Sequence, residues 1–423
     1  MEYERPEADA AVFLSSMPLS LNFAVCARIR GHFTLEQLET ALSGLGRRHP
    51  LLAVRAARRA DGRPYFTDEG VPPISVRIVE RATDDDWVGE VERDIQRPSN
   101  YLVEPQMRCI WLRGPDTSDV VLVCDHLLAD GRAGVIALRD LLDLLEAPTR
   151  AVKPLIAPPI HELVPLDVVA QIKAAAVGLP ELASVRELPR PAPNSAPSDG
   201  SPVRIMPFTL TADETAALVR RCRAEGVTVQ AALCAAFLTP FAERQPDRPV
   251  RRAEIPVDLR PRLVRPVGDA YASLVGLAIV DVDCAPGNLW DTARSAAAAL
   301  AGMQSADMFS VPPVTIPLTG KMPNPQWEIH YDLSISNLGR IDIPSEYGRL
   351  RLESFFGPVF PATGPDHLIL GVSTFAGRMG CTYSSRRPDA EGLMARGREL
   401  LGVMCRQPPA AGGRTGSSTP AAS

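Results

Sequence analysis

Two proline-rich stretches, Pro148–Pro165 and Pro189–Pro202, divide this chain of 423 residues into two long runs of regular patterning. Proline fixes φ and removes a backbone donor, so neither stretch can continue a helix or a central strand. With Asn194-Ser-Ala-Pro-Ser-Asp-Gly-Ser201 in the second, both read as crossover or linker without a packed core. The expected organisation is an N-terminal lobe over 1–150, a crossover over 151–203, a C-terminal lobe over 204–406, and a disordered tail over 407–423 rich in Pro, Gly, Ala and Ser.

Each half mixes the periods of strand and helix. Residues 22–30 alternate Val25, Ala27 and Ile29 with Arg28 and Arg30, as a half-buried strand does. Thr34-Leu-Glu-Gln37 is a capping box, and Leu35, Leu38, Leu42 and Leu45 then recur at helical spacing up to Arg47-Arg-His-Pro50. Further strands are expected at Met107–Leu112 and Val120–Cys124, followed by a helix from about Gly134 to Leu145. In the second half, Thr211-Ala-Asp-Glu214 is another capping box for a helix to Glu225 with Gly226 as its cap, and Thr228 caps the next helix through Phe237. Strands are expected at Leu274–Val282, Asp332–Ser336 and Leu350–Phe355, with a hairpin over Leu368–Tyr383 turning at Ala376-Gly377. The fold class is α+β, with two pseudo-duplicated lobes.

Composition narrows the function. With 45% apolar and 22% charged residues the chain has ordinary soluble globular composition. Lys plus Arg (45) against Asp plus Glu (50) gives a net charge of −5 and no long basic block, so a dedicated nucleic-acid partner is not expected. Apolar runs such as Val168–Val177 stop well short of the ~20 residues a membrane span needs, and Met1-Glu-Tyr-Glu-Arg5 lacks the layout of a signal peptide. A cytoplasmic location is expected. The eight cysteines include no CxxC pair and several lie in apolar runs, as reduced buried side chains do. The six histidines show no HExxH spacing, and no phosphate-binding glycine motif is present, so no metal, nucleotide or redox cofactor is expected.

The segment with the clearest chemical potential is Val121-Leu-Val-Cys-Asp-His-Leu-Leu-Ala-Asp-Gly-Arg-Ala-Gly134. It delivers His126 from the end of a buried strand, with Asp130-Gly131 four residues on. A histidine so held can face a cleft, and a neutral imidazole takes protons near neutral pH, the requirement of a general base. On the residues alone, a hydrogen-bonded core histidine beside a simple turn is the commoner reading.

Asp125-His-Leu-Leu-Ala-Asp-Gly131 resembles the HHxxxDG motif of the chloramphenicol acetyltransferase-like superfamily, which includes condensation domains and polyketide-associated acyltransferases. Three further segments resemble it in the expected order: Leu38-Glu-Thr-Ala-Leu-Ser-Gly-Leu-Gly-Arg-Arg-His-Pro-Leu-Leu52, Ile255-Pro-Val-Asp-Leu-Arg-Pro-Arg262 and Leu333-Ser-Ile-Ser-Asn-Leu-Gly339. The resemblance implies two similar lobes, each a mixed sheet with flanking helices, meeting at a central tunnel. It implies that His126 deprotonates the acceptor, that Asp130 points away from substrate and pairs with an arginine, and that Ser336 or Asn337 supplies an oxyanion donor. Arg260 is the candidate partner of Asp130, a solvated charge being its other reading. Gly131 is expected to let a substrate arm pass close to the backbone. Asp125 stands where the motif has its first histidine. On a strand it points away from His126, whereas a bent loop would bring it back and raise the imidazole pKa. The DFGWG motif of plant members is absent, Phe355-Phe-Gly-Pro358 being a poor echo.

The expected activity is acyl transfer from a CoA or carrier-protein thioester to a hydroxyl or amine in natural-product or lipid biosynthesis, by a monomer. Amide formation by a free-standing condensation enzyme is one alternative. A catalytically inactive relative that binds a carrier protein or acyl ligand, or one that cyclises a tethered intermediate, is another. Arg47-Arg48, Arg220-Arg221-Arg223 and Arg248-Arg251-Arg252 are candidate docking clusters for an acidic carrier protein. His32, His49, His161, His330 and His367 receive no functional role.

Overall fold

Thr34 Oγ1 accepts the Gln37 N–H at 3.2 Å while the Gln37 side chain accepts the Thr34 N–H at 2.9 Å, so the helix from Leu35 starts where its capping box requires. Thr211 and Glu214 repeat the arrangement at 3.2 and 2.9 Å. Gly226 takes the left-handed conformation (φ 68°), and Thr228 caps the next helix by accepting the Ala231 N–H. That helix runs to Arg244, past the expected end at Phe237.

The computed structural model describes residues 1–14, 21–179, 202–284, 288–321, 331–362 and 366–406. The first half holds β1 (Glu2–Tyr3), α1 (Glu7–Leu14), β2 (Asn22–Arg30), α2 (Leu35–Arg48), β3 (Arg55–Arg58), β4 (Pro64–Thr67), β5 (Val76–Glu80), α3 (Asp86–Asp94), β6 (Met107–Arg113), β7 (Thr117–Asp125) and α4 (Gly131–Glu146). After α5 (Leu166–Ala175), the second half holds β8 (Arg204–Thr209), α6 (Ala212–Ala224), α7 (Val229–Arg244), β9 (Val250–Asp258), β10 (Val275–Asp283), α8 (Leu289–Ala301), α9 (Ser305–Phe309) and α10 (Pro312–Thr319). It continues with β11 (Leu333–Arg340), β12 (Glu346–Tyr347), β13 (Leu350–Val359), β14 (Leu368–Phe375), β15 (Arg378–Ser385) and α11 (Ala390–Arg406).

Two six-stranded mixed sheets result, ordered β12-β13-β2-β7-β6-β5 and β10-β9-β11-β14-β15-β8, with a three-stranded sheet β1-β4-β3 beside them. Strand alternation assigns faces in the second sheet. Ala253, Ile255, Leu333, Ile335, Leu370 and Val372 enter the core under α7, α8 and α11, which leaves Pro256, Ser334 and Ser336 on the face turned to the first lobe. In the first lobe, α2 and α4 cover Val25, Ala27, Leu122 and Cys124.

β12 and β13, read from sequence as part of the lobe over 204–406, are hydrogen-bonded into the first sheet, where β13 pairs with β2 from Arg351↔Arg30 to Val359↔Ala24. From there the chain crosses onto the second sheet. Thr382 Oγ1 donates to Pro358 O at 3.1 Å and Ser384 Oγ to Phe360 O at 2.6 Å. The division at 150 and 204 thus follows chain order and does not coincide with sheet membership, because long-range strand pairing is invisible to local patterning.

The crossover also departs from expectation. Ala157, Ile160, Leu163, Val168 and Ile172 are buried against Leu259, Leu274, Phe309 and Val314. Its prolines terminate elements, Pro165 standing directly before α5, while the apolar residues between them pack. The linker residues 180–201, the tail 407–423 and His330 lie outside the described residues. All eight cysteines are buried and free. Among the described residues no single helix is long and apolar enough to cross a membrane, and no group of three metal-ligating side chains occurs.

Candidate active site

β7 pairs with β2 along its whole length, ending at Asn22↔Asp125, and the chain then leaves the sheet in a turn. The His126 N–H donates to Leu21 O at 2.7 Å, which fixes the backbone at the exit. The imidazole joins a cluster of three rings: Phe23 lies edge-on to it at 5.3 Å, Phe360 is stacked on it at 5.4 Å, and the two phenylalanines are 5.8 Å apart. Gly134 makes room for the first of these, since a Cβ there would lie 2.8 Å from Phe23 Cε2.

Four residues on, Asp130 caps α4, which therefore starts at Gly131, earlier than the expected Gly134. Its carboxylate is 4% exposed and each oxygen accepts two hydrogen bonds. Oδ1 takes the Ala133 N–H at 2.8 Å and Arg260 Nη2 at 3.1 Å; Oδ2 takes Arg260 Nη1 and the Leu274 N–H, both at 2.8 Å. Burial alone would raise its pKa, but the Arg260 charge and these donors outweigh it and hold the carboxyl below its usual range. Arg260 also donates to Asp258 and Ala272 O, so it is no solvated charge. Asp130, Arg260 and Leu274 thereby fasten the His126 turn of the first lobe to the second.

A cavity of about 530 Å³ opens where these elements meet. His126, Asp130, Gly131, Arg132, Ile136 and Arg139 line it from the first lobe, and Pro256, Asp258, Arg260, Ser336, Asn337 and Leu338 from the second, with Phe360 beside the histidine. The sequence-predicted His126, Asp130, Gly131, Arg260, Ser336 and Asn337 are thus brought to one place. Ser336 projects from the face of β11 turned to the cavity, and Asn337 Oδ1 accepts the Gly339 N–H at 2.9 Å.

Asp125 is not among them. It is 1% exposed, its Oδ1 accepts the Leu127 N–H at 2.9 Å, and Tyr101 and Ser99 lie beside its carboxyl. Burial raises its pKa against the pull of these donors and of His126. The strand continues straight to Asp125, so the carboxyl faces away from the cavity. A Cβ at Gly131 would lie 2.9 Å from Leu338 Cδ2 and 3.4 Å from Pro358 Cβ, so the bare glycine lets β11 and β13 pack close beside the cavity.

Sequence reasoning missed Phe23 and Phe360. Phe23 carries a signal, since it opens the strand paired to the histidine strand; Phe360 reaches the site only through the crossing of β13. The other described histidines lie elsewhere. His49 is fully buried with Nε2 2.9 Å from Asp140 Oδ2, His32 is exposed near Asp116, and His367 stacks on Tyr331. Arg221 and Arg251 are buried and paired with Glu225 and Asp332, so two of the three arginine clusters do not present continuous basic surfaces.

Two sheet lobes joined by a crossing strand, with the HxxxDG turn at their junction, form the fold of the chloramphenicol acetyltransferase-like and condensation-domain superfamily. Residues 200–383 match the family model for the phthiocerol/phthiodiolone dimycocerosyl transferase C-terminus. Polyketide synthase associated protein 5 from Mycobacterium tuberculosis is similar at TM-score 0.64 and 17% identity, over 96% of this chain and 98% of that one. The first condensation domain of the calcium-dependent antibiotic synthetase, in complex with a substrate analogue, is similar at 0.67 and 16%, over 97% and 98%. A trichothecene 15-O-acetyltransferase from Fusarium sporotrichioides is similar at 0.63 and 14%, over 94% of each chain. No curated protein sequence matches.

Proposed function

We propose that the protein transfers an acyl group from a CoA or carrier-protein thioester to a hydroxyl acceptor, with His126 as general base. The observation that carries this reading is the setting of His126: an imidazole packed against Phe23 and Phe360, with no side-chain hydrogen bond to the described protein, on the wall of a cavity shared by both lobes. A satisfied core histidine would instead resemble His49, sealed and bonded to Asp140.

In the proposed reaction His126 takes the proton of the acceptor hydroxyl as its oxygen bonds to the thioester carbonyl carbon. Ser336 or the Asn337 amide steadies the oxyanion. The carbon–sulfur bond then breaks, and the imidazolium returns its proton to the departing thiolate. The thioester supplies the activation, so the reaction requires no metal or redox cofactor. Both walls of the cavity come from one chain, which supports action as a monomer. Asp125 prompted the inactive-relative reading; its place off the cavity wall favours the transferase reading.

The test is free-thiol release from a panel of acyl-CoA and acyl-carrier thioesters with hydroxyl and amine acceptors, comparing wild type with His126→Ala. Acceptor-dependent release that falls by about 100-fold or more in the variant, with a product heavier by the acyl group, supports the reading. An amide product moves it to the condensation alternative. Tight carrier or acyl-ligand binding without release points to the inactive relative.

A further inference from the structure

Beyond Ser336 and Pro256 on the cavity wall, the next pair on the same face of the second sheet is Ser334 and Glu254, which are register partners on β11 and β9. Along this row of the sheet Glu254 and Ser334 stand between Ile279 of β10 and Ile369 of β14. Of the interior carboxylates, Asp119, Asp130 and Asp140 each hold an arginine, whereas Asp125 and Glu254 do not. Glu254 has no arginine or lysine partner among the described residues. Among the described residues its carboxylate takes a hydrogen bond from Ser334 Oγ, 2.9 Å from Oε1. Burial raises its pKa, yet the residue is not sealed and keeps part of its surface open. Tyr331, close enough to feel the Glu254 charge, presents a ring stacked on His367 at 5.1 Å. A largely buried carboxyl with no counter-charge is a setting that an organic ammonium group would complete.

Resting on the transferase reading, we propose that Glu254, Ser334 and Tyr331 form an ammonium subsite for the acyl acceptor. One pleat repeat of strand separates Ser334 from Ser336, about 7 Å. The acceptor class this selects is an amino alcohol whose reacting hydroxyl lies near His126 and whose charged amine lies about that far away. Glu254 thereby determines specificity and takes no part in bond making.

The test is ligand-observed NMR titration, without any thioester, of 5-aminopentan-1-ol, pentan-1-ol and pentane-1,5-diol. The proposal expects the amino alcohol to bind about tenfold more tightly than the other two. Glu254→Gln, which keeps a partner for Ser334, abolishes the difference and leaves pentan-1-ol unchanged. Equal binding of the three probes by wild type overturns the proposal without recourse to any variant, as does a preference that survives Glu254→Gln. Tighter binding of the diol would show a neutral hydroxyl subsite and overturn it too. Thiol release then separates the two readings. A protein that binds the amino alcohol selectively but releases no thiol refutes the transferase alone, whereas turnover with no amine preference refutes the subsite alone.

Discussion

Arg260 of the second lobe closes a two-pronged ion pair on Asp130 of the first, with Nη1 2.8 Å from Oδ2 and Nη2 3.1 Å from Oδ1. The aspartate also caps α4, so one buried carboxylate sets the start of a helix, the shape of the His126 turn and the docking of the lobes. Removing the arginine strands the charge. Arg260→Met is expected to cost about 3–5 kcal/mol, measured by urea unfolding at pH 7. The folded pKa of Asp130 lies below its reference value of 3.8, so its contribution is fully present above that value and is lost as pH falls through the lowered folded pKa. The contribution of this group to wild-type stability is therefore expected to be flat from pH 5 to 8 and to decline only below about pH 3.8.

Asp125 obeys the opposite sign. Its folded pKa is raised by burial, so the folded state binds its proton more tightly than the unfolded chain, and stability falls as pH rises from 3.8 towards the raised value. Asp125→Asn keeps an acceptor for the Leu127 N–H. It is expected to stabilise the protein at pH 7, with the gain absent below pH 3.8, and to change turnover by less than about threefold. Melting curves across pH, read beside thiol-release rates, check both halves.

The Phe360 ring holds the His126 imidazole without a hydrogen bond. Ring pairs of this kind contribute about 0.5–1.5 kcal/mol, so Phe360→Leu is expected to lower kcat by roughly 2- to 12-fold while the folded state persists. A change in kcat with KM little altered, together with a shifted or broadened His126 imidazole NMR signal, is the expected pattern. An unchanged rate would remove the ring contact from the mechanism.

A Cβ on Gly371 would lie 1.8 Å from Pro358 O, and that atom belongs to backbone. Gly371→Ala is therefore expected to push β13 off the second sheet, at a cost of about 1–3 kcal/mol or more, and to depress thiol release through the displaced Phe360. Gly226→Ala, with nothing within 4 Å of the added carbon but a φ of 68°, is expected to lose about 1 kcal/mol and no activity.

Local chemistry wrote a good part of this protein into its sequence. The two capping boxes, the Ala376-Gly377 turn and the strand leading to His126 depend on residues a few positions apart, and each is where its pattern places it. The HxxxDG turn was legible for the same reason, and so was Arg260, through its place in a segment that resembles the family. Tertiary structure alone decided the rest. Only the pairing of β13 with β2 brings residues 346–359 into the first lobe and carries Phe360 to a histidine more than two hundred positions earlier. Only burial settles that Asp125 leaves the site while Asp130 enters it, since both are aspartates beside the same turn. Only the register of β9 with β11 sets Glu254 against Ser334. Strand pairing and desolvation are long-range properties, and a periodicity of two or of 3.6 residues carries no information about which distant partner will be met.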